Sequence, residues 1–172
     1  MKCTATHKKF RRQRRFDAGM KGAVARCSIY LDYVLSDKMR WSNSRINQIH
    51  STFNNVAEKV KNGELTVDDM VKVLKAEHDA DVIIPKDGRE RPKGLYSDYI
   101  NGVYASSDTV SVILLYVLIH IYRLGCEKTA KIIAGITDVA ESVNLGYVTE
   151  TDIQRSLKSE EGLEVKKLND VG

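Results

Sequence analysis

The sequence predicts an all-α protein built from two tandem three-helix units, related by a pseudo-twofold and packed into one compact body, with at most short extended segments at the unit ends. Three observations predict it. The chain matches itself without a gap at an offset of 83 residues: VAEKVKNGELTVDDM from Val56 lies on VAESVNLGYVTETDI from Val139, and SIYLDYVLSDKMR from Ser28 lies on SVILLYVLIHIYR from Ser111. Apolar residues recur at three- and four-residue spacing in each copy, the period of a helix with one buried face. Helix-start and helix-stop residues fall at matching places, with Thr66 and Asp69 on Thr149 and Asp152, and Gly63 on Gly146.

Residues 1–16 form a basic arm. Lys2, Lys8, Lys9, Arg11, Arg12, Arg14 and Arg15 lie there with no acid among them. The first repeat, 17–84, opens with a helix from about Asp17 to Met39, whose stripe is Met20, Val24, Cys27, Leu31, Val34 and Leu35. Ser42 or Ser44 can cap a second helix lined by Ile46, Ile49, Phe53, Val56 and Val60 and stopped at Gly63. Thr66 and Asp69 start the third, with Val67, Val71 and Leu74 facing inward. Asp81 to Ile84 is β-branched but precedes Pro85, so at most it forms a short edge strand. A linker, 85–98, carries Lys86, Arg89, Arg91 and Lys93 against Asp87 and Glu90, which predicts an exposed, mildly basic loop.

The second repeat, 99–166, follows the same plan through Ile153 and Leu157, and residues 167–172 form a tail. The copies differ in their first helices. Where the first has Asp32, Ser36, Asp37 and Lys38, the second has Leu115, Ile119, His120 and Ile121, so its helix is apolar on nearly every side. Such a helix needs cover all round, which predicts that the repeats pack on each other through it, as a homodimer would after gene fusion; an exposed hydrophobic partner site is the alternative. A monomer with internal pseudo-dimer symmetry follows. Val110 to Tyr122, interrupted by Ser111 and His120, falls short of the roughly 20 residues of a membrane span and reads as a core helix.

No enzyme chemistry is expected. His7, His50, His78 and His120 are not paired with each other or with cysteines at metal-ligand spacing, and no phosphate-binding glycine loop or nucleophile elbow occurs. Glu77, His78, Asp79 and Asp81 read as a solvated helix terminus in preference to a cation site, and His120 as a core histidine. The three cysteines are odd in number and widely spaced, with no apolar leader ahead of them, which predicts reduced thiols in a cytoplasm. Cys27 and Cys126 then serve as small buried hydrophobes. No cofactor and no metal are expected.

Charge gives the functional expectation. The chain carries 27 basic and 23 acidic residues, and removing the seven cations of the arm leaves a body of net charge −3. Dense guanidinium groups displace counterions from phosphates, and Phe10 and Phe16 between them offer faces for base stacking. Lys8, Lys9, Arg11, Arg12, Arg14 and Arg15 are therefore the candidate nucleic-acid contacts, with Arg40 and Arg45 flanking Trp41, and Arg89 and Arg91 of the linker, as possible extensions. The plainer alternatives are a disordered solubilising tail or a first helical turn with one basic face for the arm, a core position for Phe16, which matches Tyr99, and a core plug for Trp41.

The pattern of Phe16, Gly19, YVLSDKMRW, Arg45, Ile46 and GELTVDDM, repeated as YVLIHIYRL and GYVTETDI, resembles small helical proteins encoded by phages and prophages of Gram-positive bacteria. The resemblance implies a non-enzymatic protein of the bacterial host cytoplasm that inhibits a host defence complex, foremost an anti-CRISPR protein acting on a type II effector nuclease through its nucleic-acid or guide-RNA surface. The alternative it implies is a phage DNA- or RNA-binding regulator or packaging accessory.

Overall fold

The computed structural model describes residues 5–82, 94 and 96–161, and among these every regular element is helical. The first repeat comprises α1 (Ala5–Tyr33), which closes in a π-helical turn (Val34–Lys38), then α2 (Asn43–Lys61) and α3 (Val67–His78). The second comprises α4 (Ser97–Leu115) with its π-helical turn (Tyr116–Ile121), then α5 (Cys126–Asn144) and α6 (Glu150–Glu161). The bounds of α5 and α6 are those of α2 and α3 displaced by the sequence offset. Asp81 and Val82 form no strand; Ile83, Ile84 and most of the linker lie outside the described residues.

The punctuation repeats as well. Both long helices end on an arginine in the left-handed region, Arg40 at φ 54° and Arg123 at φ 53°. The Trp41 N–H then reaches back to the Leu35 carbonyl at 2.9 Å and the Leu124 N–H to the Leu118 carbonyl at 3.0 Å, which satisfies carbonyls that the helix end would orphan. Thr66 accepts from the Asp69 N–H at 3.1 Å and donates its hydroxyl to the Asp69 carboxylate at 2.6 Å; Thr149 and Asp152 do the same at 3.2 and 2.6 Å. The threonine hydroxyl holds each aspartate below the usual carboxylate range. Ser42 occupies the cap position of α2 without a side-chain cap bond.

The centre of the molecule is the pair α1 and α4, which run side by side in the same sense with equivalent positions opposed. Two glycines allow it. A Cβ on Gly19 would lie 2.0 Å from the Tyr99 carbonyl oxygen, and one on Gly102 would lie 2.1 Å from that of Phe16. Gly19 and Gly102 are repeat partners, as are Phe16 and Tyr99, so the contact is made reciprocally. Below it Leu31, Val34 and Leu35 are buried, as are their partners Leu114, Val117 and Leu118.

The outer helices cross over. α3 packs on α4 and its π-helical turn, while α5 and α6 pack on α1. Residues of both repeats thus share one continuous core in which Ile49, Phe53 and Met70 meet Ile113, Leu118 and Ile132. The apolar first helix of the second repeat is covered on part of its circumference, against the expectation of cover all round: Val112, Ile113, Leu114, Val117 and Leu118 are buried, Leu115 and Tyr116 are partly buried, and Ile121 is exposed. Ser97–Ile121 has the length and hydropathy of a membrane span, and here half of its most apolar window is buried against the other helices.

Replacing Gly19 or Gly102 with Ala should force α1 and α4 apart and cost roughly 3 kcal/mol each, the upper part of the range for overpacked sites. Gly125, with nothing near its Cβ position, is the control, and its Ala variant should stay within about 0.5 kcal/mol of the parent. Urea unfolding of the three variants measures the difference, and equal effects would show that the glycines do not set the approach.

Candidate functional site

The basic arm is not separate from the first helix. α1 already begins at Ala5, twelve residues before the Asp17 at which the apolar stripe starts. Lys, Arg and Gln are good helix formers, and two local contacts support these turns. Gln13 Nε2 donates to Asp17 Oδ1 at 2.8 Å, and the Arg14 guanidinium stands 5.8 Å from the Phe10 ring centre. Lys8, Lys9, Arg11, Arg12 and Arg14 are all exposed, as is Phe10. At 3.6 residues per turn their side chains spread over more than half of the helix circumference.

Arg15 behaves differently. Its Nη2 and Nε donate to Asp98 Oδ2 at 2.8 and 3.3 Å, across the junction of α1 and α4. Arg15 is therefore a clamp between the repeats, and Phe16, with its carbonyl against Gly102, belongs to the body. The available cationic surface is the segment from Lys8 to Arg14, ahead of the first position that α4 covers.

The other candidates lie elsewhere. Arg40 and Arg45 sit beyond the C-terminal end of α1, and a rise of 1.5 Å per residue puts about 40 Å between Arg11 and that end. They do not extend the arm's surface. Arg40 is exposed beside Asp37 at 4.0 Å; Arg45 stacks its guanidinium 3.9 Å from the centre of the Trp41 ring. Trp41 itself is partly buried against the core, so it plugs the helix junction while carrying the arginine. Arg89 and Arg91 lie outside the described residues.

Sequence periodicity missed two polar clusters. The first is Asp32 and His50, both buried, with His50 Nε2 hydrogen-bonded to Asp32 Oδ1 between α1 and α2. Burial pushes the Asp32 carboxyl up, and the hydrogen bond and charge of His50 oppose that rise. The Cys27 thiol is pushed up to about 12 by burial and by the Asp32 charge, which leaves it a poor nucleophile. Among the described residues, His50 Nδ1 and Ser36 Oγ have no hydrogen-bond partner. Cys126, expected inside, is exposed at the first position of α5.

The second cluster corrects the expectation that the histidines stand apart. Glu77 and His78, on the last turn of α3, meet His120, in the π-helical turn of α4. Asp79 and Asp81 do not join them, being held by Lys75 at 3.1 and 2.8 Å.

The second repeat has Leu115 and Ile133 where the first has Asp32 and His50, an apolar pair that is partly buried where the polar pair is enclosed. Asp32→Leu alone should cost about 3 to 5 kcal/mol by leaving a buried imidazole unpaired, whereas Asp32→Leu with His50→Ile should restore the parent stability or exceed it. Burial holds the Asp32 carboxyl above its unfolded value, so its contribution is fully present below the unfolded value and is lost as pH rises through the folded one. The double variant should accordingly lose less stability than the parent between acid and neutral pH. Thermal unfolding of both variants at two pH values checks this, and a double variant no better than the single one would refute it.

Comparison with protein families, with curated proteins and with solved structures finds no match to this chain.

Proposed function

We propose that the protein is a non-enzymatic binding protein that grips nucleic acid, free or within a ribonucleoprotein, through the N-terminal turns of α1. The observation that carries this reading is the row Lys8, Lys9, Arg11, Arg12 and Arg14, all exposed on helical turns and, among the described residues, without an acidic partner. Two further features support it. The positive end of the α1 dipole coincides with these cations, an arrangement that opposes helix formation until an anion relieves it. Exposed Phe10 adds a stacking face on the same turns.

The body is net acidic and repels phosphate, so the tip supplies affinity without reading sequence. The reading includes a twofold relation between the repeats, which the reciprocal contacts of Gly19 and Gly102 support. A non-catalytic role is supported by the enclosure of the Asp32–His50 pair and the high Cys27 proton affinity. Inhibition of a type II effector nuclease carrying guide RNA is the narrower form of the proposal, and it rests on the sequence resemblance alone. A phage regulator or packaging accessory is the alternative. Pull-down on host effector complexes separates the two.

If five cations engage phosphates, the logarithm of the association constant for duplex DNA should fall against log salt with a slope near −4.5, that is about −0.9 per phosphate contact. Changing Arg11, Arg12 and Arg14 together to Ala should flatten the slope by about 2.7 and leave the melting temperature within a few degrees of the parent. Arg15 stays in place because its removal would break the clamp to Asp98. Mobility shifts at several salt concentrations make the measurement, and an unaltered slope would assign the tip a solubilising role.

A further inference from the structure

The Glu77, His78 and His120 cluster has the donor set and spacing of a transition-metal site. His78 Nε2 lies 3.3 Å from His120 Nδ1, His120 Nδ1 lies 3.2 Å from Glu77 Oε2, and His78 Nε2 lies 3.9 Å from the same oxygen. Zinc bonds of about 2.0 to 2.1 Å in a tetrahedron require ligand atoms roughly 3.4 Å apart. The first two separations already match, and the third closes with a small rotation of Glu77, which is half exposed.

The rings are held for the task. The His120 ring stacks on Tyr116 with centroids 4.7 Å apart, and both imidazoles are largely buried, at 14% and 23% exposure. In the structure a cation already stands there: Arg123 Nη1 lies 3.2 Å from His78 Nε2 and 3.9 Å from Glu77 Oε2. An arginine can only donate, so the His78 nitrogen facing it presents its lone pair, the form a metal needs, whereas His120 Nδ1 faces the acceptor-only carboxylate of Glu77 and carries the proton that a metal would displace. Arg123 is mostly exposed and free to withdraw. The packing common to both repeats does not demand these histidines, because their repeat partners are Glu161 and Asp37, with Glu160 for Glu77. Two imidazoles and one carboxylate make a donor set that suits a borderline-soft ion.

We infer that Glu77, His78 and His120 bind one Zn²⁺, which fastens α3 of the first repeat to α4 of the second and leaves the fourth coordination position to solvent. The ion acts as a cross-link, since it binds the folded arrangement and not the separated helices.

Calorimetric titration of the full chain with zinc chloride should show one ion per chain, with a higher melting temperature that a chelator reverses. His78→Ala and His120→Ala should each weaken binding about 100-fold or more, and Glu77→Gln about 10-fold or more, at least the losses that follow removal of a supporting residue. Arg123→Ala should strengthen binding, because the competing guanidinium is gone, whereas a purely hydrogen-bonded network would only lose a partner. His7→Ala should change nothing. Glu77→Gln and Arg123→Ala alter exposed side chains and keep the test decisive if an imidazole variant fails to fold. No zinc binding by the parent chain, or equal affinity in the parent and the Glu77, His78 and His120 variants, overturns the assignment.

Discussion

Everything in this fold is referred to the backbone contact between α1 and α4 at Gly19 and Gly102. With the Cβ positions so close to the facing carbonyls, no other residue fits there without moving a helix. That approach fixes the spacing of the two long helices, and the spacing decides which side chains can fill the seam beneath. Leu31, Val34 and Leu35 interlock with the second repeat because the axes are already held. The outer helices then find surfaces composed of both α1 and α4, which is why α3 lies on α4 and α6 on α1.

The two repeats share a sequence pattern and the bounds of their outer helices, and they differ at polar positions. Arg15 and Asp98 occupy equivalent positions, and in a pair of identical chains that position would set like charge against like. Here it joins opposite charges, a contact available only when the copies differ. The buried Asp32 and His50 pair is likewise confined to one copy. A buried pair of this kind adds little net stability but penalises any register of α2 that parts the two groups. Polar asymmetry thus gives direction to a framework that is otherwise repeated.

The sequence was most legible where local rules govern. The threonine caps, the glycine stop and the apolar positions named for α2, α3 and α6 obey short-range spacing, and each sits where the spacing put it. The helical state of Lys8 to Arg14 was legible only as one alternative to a disordered tail, because a helix without an apolar face has no period to detect. Met70 escaped notice as core although its repeat partner Ile153 marks the position. The meeting of His78 with His120 was hidden by the crossed packing, since the two lie 42 positions apart in different repeats. The Arg15 to Asp98 clamp was within reach, because the offset that aligns the copies lays one residue on the other.

The crossed packing has a consequence for how the chain reaches this state. Residues joined at the clamp are separated by 83 positions, and the helices of the first repeat rest on a partner helix that begins only at Ser97. During synthesis α1, α2 and α3 all emerge before the surface that buries them exists. Most helical proteins of this size fold quickly on contacts close in sequence, and a chain whose central seam joins distant segments must close a long loop before its core is rewarded. The topology therefore predicts late folding, with the two repeats forming together. A severed first repeat has no reason to stand alone, and its exposed Leu31, Val34 and Leu35 form a surface on which unfinished chains adhere to one another.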